Sequence, residues 1–205
     1  SPHRGSSVEF AEYRKYVPGD DTRRVDWRVY GRSDRFYIKE FEADTNLRLC
    51  LVMDTSGSMA FGSGSITKWD YAKRLAATLA HLAIGQGDAA GLYAGGPKLH
   101  CAIPPSRRPT HYMALNTALQ EMEPVAETGL TNHLHQLAEE IPQRALVVLI
   151  SDLLDDPDKI IDCWQHLRFR KHDLAVFQIS DPEERSLDLN QPMRFIDLEG
   201  DDAIV

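Results

Sequence analysis

The stretch "LCLVMDTSGSM", residues 49–59, joins an apolar strand to a loop of hydroxyl and glycine residues. Its first five residues have the continuous apolar character of a strand that is buried on both faces of a parallel sheet. Asp54 follows this strand directly, and Ser56 and Ser58 come at alternate positions after it. Because alternate side chains of an extended loop can point toward one centre, the stretch predicts a cluster of oxygen atoms at the end of a strand.

From residue 47 onward, strand patterns alternate with helical patterns. Strands are predicted in the runs LRLCLVM, DAAGLYAGG, KLHCAIPP (ending at its double proline), RALVVLIS, DLAVFQIS and MRFIDLE. Helices are predicted at residues 67–87, 109–122, 132–141 and 156–171. Strands that alternate with helices favour a largely parallel sheet, covered by helices on both faces and joined by right-handed crossovers. The predicted fold class is therefore α/β with an open, mostly parallel sheet.

A second acidic residue, Asp152, comes directly after a second buried strand, residues 144–151. The carboxyl ends of parallel strands meet at one edge of a sheet, so Asp54 and Asp152 are expected to converge there. Hard divalent cations prefer oxygen ligands, and two carboxylates with two hydroxyls make a partial shell for Mg²⁺, or for Mn²⁺ or Ca²⁺. Either aspartate could instead cap a following helix, because Asp is a common N-cap residue.

The first 46 residues differ in character and are predicted to be an extension packed on a domain of residues 47–205. They mix aromatic side chains with dense charges of both signs, and no helical or strand period dominates. "FYIKEFE", residues 36–42, alternates as a strand does, and "VPGDD", residues 17–21, has turn residues. The charges either form a recognition patch for a partner or dock the extension by ion pairs, and both readings stay open.

Composition limits the classes of partner and compartment. Of 205 residues, 42% are hydrophobic and 26% are charged, which is typical of one soluble globular domain. The net charge of -8 argues against nucleic acid as the main partner and favours a cation or a basic protein surface. Cys50, Cys101 and Cys163 are expected to be reduced, buried thiols of a cytoplasmic protein. No apolar run approaches the roughly 20 residues of a membrane span.

Two other patterns are weaker indications of a site. His133 and His135 are two residues apart in a predicted helix, so their side chains diverge, and solvent-facing histidines are expected rather than zinc ligands. "GSGSITK", residues 62–68, lacks the Gly-Lys-Ser/Thr ending of a phosphate-binding loop. It is expected to be a flexible loop near the predicted metal site.

Three segments resemble the metal-ion-dependent adhesion site of von Willebrand factor A domains: "DTSGS" at 54–58, "ETGLTNHL" at 127–134 and "ISD" at 150–152. The resemblance implies five metal ligands, direct or through water, which are Asp54, Ser56, Ser58, Thr131 and Asp152. Leu130 between the glycine and Thr131 departs from the pattern. Neutral hydroxyl ligands leave the charge of the cation incompletely cancelled, so its open position attracts an exposed Asp or Glu of a partner protein.

A second resemblance covers more of the chain. "YVPGDDTRRVDW", residues 16–27, followed by the strand that leads to Asp54, is similar to the bacterial family known as domain of unknown function 58. The resemblance implies a von Willebrand A-like domain and a MoxR-type AAA+ ATPase as partner, of the kind associated with complex maturation. Members are usually longer at both ends, which leaves membrane association of a longer protein open.

These patterns predict a non-catalytic protein-interaction module, an adaptor that works with a MoxR-type AAA+ ATPase in the assembly or maturation of protein complexes. A metal-assisted hydrolase is the alternative, and it requires a base such as His133 close to a metal-bound water. The sequence around Ser56 lacks the Gly-x-Ser-x-Gly pattern of a serine nucleophile, which argues against an enzyme. A structural module with a vestigial metal site is the third reading.

Overall fold

The structure is a computed structural model, and it describes residues 8–43, 47–95, 99–125, 129–186, 195–196 and 203–204. Contacts divide the chain into two compact units, Ser1–Asn46 and Leu47–Val205. The docking of the first unit on the second remains a prediction.

The first unit contains more regular structure than the sequence predicted. Its elements are β1 (Val8–Lys15), a 3-10 turn (Thr22–Arg24), α1 (Trp27–Ser33) and β2 (Tyr37–Ala43). β2 confirms the predicted strand, whereas β1 and α1 were missed. β1 pairs antiparallel with β2, a partner distant in sequence, and α1 has only 7 residues, too few for a helical period to stand out.

Polar side chains fix the turns of the first unit. Asp26 caps α1, because its Oδ1 accepts hydrogen bonds from the backbone N–H groups of Arg28, at 2.9 Å, and Val29, at 3.2 Å. In the predicted turn, Asp20 N donates to Val17 O at 3.0 Å, and Gly19 has a φ of 111°. The hydrogen bonds that Arg14 donates to the Asp20 carboxylate, at 3.0 and 3.1 Å, lower the pKa of Asp20.

The second unit is built on a five-stranded sheet. In chain order its strands are β3 (Arg48–Asp54), β4 (Ala89–Gly95), β5 (Leu99–Ser106), β6 (Leu146–Ser151) and β7 (Asp173–Gln178). Their spatial order is β5-β4-β3-β6-β7, and every neighbouring pair is parallel except β4 and β5. β3 is central and buried on both faces, which explains its continuous apolar sequence.

Helices cover both faces of this sheet. They are α2 (Lys68–Gly85), α3 (His111–Glu121), α4 (Leu130–Glu140) and α5 (Pro157–Phe169), and a short helix, α6 (Pro182–Ser186), follows β7. Leu51 and Met53 of β3 pack with α2 and α3, and Cys50 and Val52 pack with α4 and α5. The predicted α/β class, an open, mostly parallel sheet with helices on both faces, is confirmed.

The edge strand β5 contains the double proline with which the predicted strand ends. It continues through Pro104 and Pro105 to Ser106. An edge strand tolerates proline because one side of its backbone needs no partner. Gly91 of β4 permits the close approach, since a Cβ there would lie 2.7 Å from Ile103 O and from Pro105 N. The predicted strand, residues 98–105, is therefore confirmed to within one residue at each end.

Two boundaries differ from the predictions. α4 begins at Leu130, two residues earlier than expected, so Thr131 lies in its first turn rather than in a loop. Of the strand predicted last, only Phe195–Ile196 (β8) is among the described residues, and it pairs antiparallel with Ala203–Ile204 (β9) in a separate ribbon.

All three cysteines are free, and Cys50 and Cys163 are buried as predicted, whereas Cys101 is half-buried. Burial raises the pKa of Cys50 to about 12 and that of Cys163 to about 11, so both stay protonated thiols. Among the described residues, no helix combines the length and apolar character needed to cross a membrane.

His172, at the entry to β7, makes the stability of the fold depend on pH. It is buried, and its Nδ1 accepts a hydrogen bond from Ala145 N at 3.3 Å, which requires a neutral ring. Burial, helped by the charge of Arg170, lowers the pKa of His172. Below about pH 6.5 the His172 ring binds a proton in the unfolded chain but stays neutral in the folded chain. The free energy of unfolding therefore falls as the pH falls.

We expect His172→Gln to reduce this acid loss of stability. The measurement is urea denaturation of both proteins at about pH 7 and about pH 5.5, and the variant should lose less stability between the two values. His81→Gln, at an exposed position, is the matched control and should keep the wild-type pH dependence. Equal acid losses in wild type and His172→Gln would contradict the prediction.

Candidate metal centre

Asp54 is the last residue of β3, and its carboxylate is almost fully buried. Its Oδ2 accepts a hydrogen bond from Ser151 Oγ of the adjacent parallel strand at 2.5 Å, and its Oδ1 accepts one from Ser56 N at 3.0 Å. Burial raises the pKa of Asp54, the hydrogen bonds from Ser151 and Ser56 oppose the rise, and the nearby charge of Asp152 adds to it. A buried carboxylate in this situation is stabilised by any cation beside it.

The loop after β3 brings two hydroxyls together. Ser56 Oγ and Ser58 Oγ lie 3.0 Å apart. A 3-10 turn, Gly57–Ala60, holds this arrangement, because Met59 N donates to Ser56 O at 3.1 Å and the Met59 side chain is fully buried. Thr55, the residue before Ser56, is also buried, and its Oγ1 has no hydrogen-bond partner among the described residues.

Asp152 directly follows β6 and is also buried. Its Oδ2 accepts a hydrogen bond from Lys68 Nζ at 2.8 Å, and its Oδ1 accepts one from Leu154 N at 3.3 Å. Leu153 has a φ of 61°, so the chain turns sharply away from the sheet at this point. We use the name acidic rim for the carboxyl ends of β3 and β6 with their side chains, which are Asp54, Ser56, Ser58, Ser151 and Asp152.

Lys68 is the residue of this region that the sequence patterns missed. It is the first residue of α2, its side chain is 2% exposed, and its Nζ also donates to Glu184 Oε1 of α6 at 2.5 Å. Burial alone lowers the pKa of Lys68, but its hydrogen bonds to the two carboxylates, Asp152 and Glu184, outweigh burial and raise it, so the ammonium stays charged. A signal did exist in the sequence. The positive end of the helix dipole repels a cation at a helix N-terminus. Lys68 at the start of a predicted helix therefore indicates that an anion lies nearby and compensates for this repulsion.

Thr131 lies in the first turn of α4 and is half-buried. The chain before α4 reaches the loop after β3, since Val125 N donates to Thr55 O at 2.7 Å. Residues 126–128, between these two points, lie outside the described residues. The structure brings Asp54, Ser56, Ser58 and Asp152 to the ends of two adjacent strands, and metal binding by these four and by Thr131 remains a prediction.

The helix-capping alternative for the two aspartates is wrong. The N-cap of α2 is Thr67, whose Oγ1 accepts a hydrogen bond from Asp70 N at 3.1 Å. The N-cap of α5 is Asp156, whose Oδ1 accepts one from Asp158 N at 3.0 Å. Asp54 and Asp152 therefore cap no α-helix, and their burial needs another explanation.

Solvent exposure of both histidines was also expected, and it is wrong for His133. His135 is exposed, but His133 is 1% exposed. Position 133 lies on the buried face of α4 because it continues the spacing of Leu130, Leu134 and Leu137, which pack on the sheet. The two side chains diverge as predicted, and the buried one belongs to the packed face of the helix.

The loop at residues 62–68 is tied down rather than flexible. Ser63 donates to the Asp181 carboxylate from its backbone N at 2.9 Å and from its hydroxyl at 2.5 Å. These hydrogen bonds lower the pKa of Asp181. Lys68 N also donates to Phe61 O at 2.8 Å, which closes the loop at its base.

The donor set of the acidic rim fits a hard divalent cation in part. Two buried carboxylates and two facing hydroxyls supply the oxygen chemistry that Mg²⁺ prefers. Across the described ranges, no three His, Cys, Asp or Glu side chains are grouped so that they could hold a metal. An ion at the acidic rim would therefore depend on hydroxyls and water for its other positions.

The model of the family described as "Protein of unknown function DUF58" matches residues 12–205. The chain belongs to this family. The mycobacterial protein Rv1480, from Mycobacterium tuberculosis, is 30% identical over 188 residues, which are 89% of this DUF58 chain and 58% of that protein. YeaD of Bacillus subtilis is 31% identical over 90 residues, 44% of this chain and 21% of that one. Both are described as uncharacterized, and the chain spans little more than half the length of Rv1480.

Solved structures share the fold of this DUF58 chain. BatB from Bacteroides thetaiotaomicron has a TM-score of 0.55 at 16% identity, over 67% of this chain and 68% of that one. An aerotolerance-related membrane protein from Bacteroides fragilis has a TM-score of 0.52 at 15% identity, over 63% and 66%. At such identities the likeness shows fold alone. The likeness confirms the predicted von Willebrand A-like fold.

Proposed function

We propose that this DUF58 chain is a non-catalytic interaction module that binds an exposed Asp or Glu of a partner protein through a divalent cation. Mg²⁺ is the expected ion, and Mn²⁺ or Ca²⁺ would be substitutes. The observation that carries the proposal is the pair of buried carboxylates, Asp54 and Asp152, beside the facing hydroxyls of Ser56 and Ser58. Thr131 would supply a third hydroxyl.

The charges of the acidic rim support an open position on the cation. Asp54 and Asp152 together would just balance a divalent ion, and Asp152 already shares its charge with Lys68. A bound ion would therefore keep an excess of positive charge that a carboxylate from outside could neutralise. The hydroxyl ligands, being neutral, remove none of this excess.

We further propose that the partner is a MoxR-type AAA+ ATPase and that the module is an adaptor in the assembly or maturation of protein complexes, working in the cytoplasm. Membership of the DUF58 family supports this proposal through the association that the sequence resemblance implies. The net charge of -8 supports a protein partner over nucleic acid.

The double substitution Ser56→Ala/Ser58→Ala is expected to abolish Mg²⁺-dependent binding to the purified MoxR-type ATPase of the source organism, because it removes two cation ligands and no charge. Surface plasmon resonance with Mg²⁺ and then with EDTA is the measurement, and circular dichroism checks the fold. Ser65→Ala, at an exposed position in the neighbouring loop, is the matched control and should bind as wild type does.

Two other results of these measurements would each favour a different function. Binding that EDTA leaves unchanged would favour a structural module with a vestigial metal site. Mg²⁺-dependent hydrolysis of an ester or phosphoester by wild type, lost in the double variant, would favour the metal-assisted hydrolase and refute the non-catalytic proposal.

A further inference from the structure

We infer that Lys68 is an internal cation that competes with the divalent ion for Asp152 and so sets how tightly the acidic rim binds metal. This inference rests on the proposed function, because it concerns the same metal site. It concerns a residue outside the five predicted ligands and makes Lys68 a determinant of metal affinity.

The first observation is that Lys68 lies inside the protein at full hydrogen-bond distance from Asp152. Nζ and Oδ2 are 2.8 Å apart, and the two side chains are 2% and 3% exposed. The Nζ atom also lies 5.8 Å from the centroid of the Phe61 ring. An ion pair that is shielded from water on all these sides interacts far more strongly than a surface pair.

The second observation is that both carboxylate oxygens of Asp152 already accept hydrogen bonds. Lys68 Nζ donates to Oδ2 and Leu154 N donates to Oδ1. A divalent ion that shares this carboxylate must therefore lie close to the ammonium of Lys68. Two cations in a poorly solvated site repel each other, so ion binding is weakened as long as Lys68 keeps its contact with Asp152.

The third observation is that Lys68 has a second anionic partner. Glu184 Oε1 is 2.5 Å from Nζ, and Glu184 Oε2 is held by Asp181 N at 2.9 Å. The Asp181 carboxylate in turn accepts a hydrogen bond from Ser63 N, in the loop at residues 62–68. Glu184 therefore draws part of the ammonium charge away from Asp152 and would keep Lys68 paired when a divalent ion takes Asp152.

Opposite changes in affinity follow for two variants. Lys68→Met keeps an unbranched side chain beside Phe61 and removes the competing charge, so Mg²⁺ should bind at least about tenfold more tightly. Glu184→Gln removes the second partner and leaves the ammonium dependent on Asp152, so Mg²⁺ should bind several-fold more weakly. Lys73→Met is the matched control, because Lys73 lies over Trp69 of the same helix, and it should bind as wild type does.

The experiment is isothermal titration of the full 205-residue chain with Mg²⁺ for wild type and the three variants, after circular dichroism has confirmed their folding. The inference is supported if Lys68→Met binds Mg²⁺ more tightly than wild type and Glu184→Gln binds it more weakly. It is also supported if Lys68→Met is the only one of the four proteins that binds Mg²⁺ measurably. If Lys68→Met does not fold, the Glu184→Gln result decides alone.

Two outcomes would overturn the inference, and they differ in what they say about the metal site. Saturable binding with one affinity in wild type, Lys68→Met and Glu184→Gln refutes competition by Lys68 and leaves the proposed metal site intact. Absence of saturable binding in wild type and in a folded Lys68→Met refutes both the competition and the metal site.

Discussion

Replacing Asp54 with alanine is expected to abolish saturable Mg²⁺ binding and to leave the sheet folded. Removal of a partner that only orients a metal ligand costs about 10- to 100-fold in affinity, so loss of a charged ligand should cost at least the upper value. Isothermal titration with Mg²⁺, repeated with Mn²⁺, measures the loss, and thermal unfolding checks the fold.

The effect of Asp54→Ala on stability should be small, because two contributions oppose each other. The Ser151 hydroxyl loses its acceptor at 2.5 Å, and Ser56 N loses one at 3.0 Å, and each buried donor left without a partner costs about 1–3 kcal/mol. Burial of the carboxylate, which raises the pKa of Asp54, shows that the charged form is disfavoured in the folded state, and this penalty disappears in the variant.

Asp88→Ala is the matched control for Asp54→Ala. Asp88 is also buried, but it immediately precedes β4, at the opposite end of the sheet, where its Oδ1 accepts a hydrogen bond from Leu47 N at 3.1 Å. Its substitution should lower stability and leave Mg²⁺ binding unchanged. Equal loss of binding in both variants would mean that the loss reports damage to the fold and would count against a metal site at Asp54.

The candidate site could be predicted from the sequence where its residues adjoin the strand ends. Asp54 and Asp152 each follow an apolar run that predicts a buried strand, so their position at one edge of the sheet follows from the parallel pairing of β3 with β6. The ion pairs of Lys68 could not be found in this way. Its partners Asp152 and Glu184 are 84 and 116 residues away, and no local pattern connects them.

In the fold, too, elements with a local sequence pattern could be predicted, and elements that depend on contacts distant in sequence could not. The five strands of the sheet and helices α2 to α5 were predicted from their hydrophobic patterns. The helices α1 and α6 are too short to show a period, and β1 depends on pairing with β2, which is distant in sequence. The strand β5 ends within one residue of its predicted end, and an edge position and the absence of a side chain at Gly91 allow it to contain two prolines.

The second large effect is expected from Lys68→Met in the absence of metal, which should lower the free energy of unfolding by about 3–5 kcal/mol. The substitution leaves Asp152 buried and without its cation. Asp152→Asn should cost less, because Lys68 keeps its ion pair with Glu184. Urea denaturation in EDTA measures both variants, and Lys73→Met controls for the loss of one lysine from α2.

The double variant Lys68→Met/Asp152→Asn should be more stable than Lys68→Met alone, because it leaves no buried, unpaired charge; Glu184, whose side chain is 31% exposed, can be hydrated. The sum of the single costs should therefore exceed the cost of the double variant, and additive costs would contradict a buried charge pair. Excess Mg²⁺ should restore stability to Lys68→Met but not to the double variant, because a bound cation stabilises the folded state only where the Asp152 carboxylate remains to hold it.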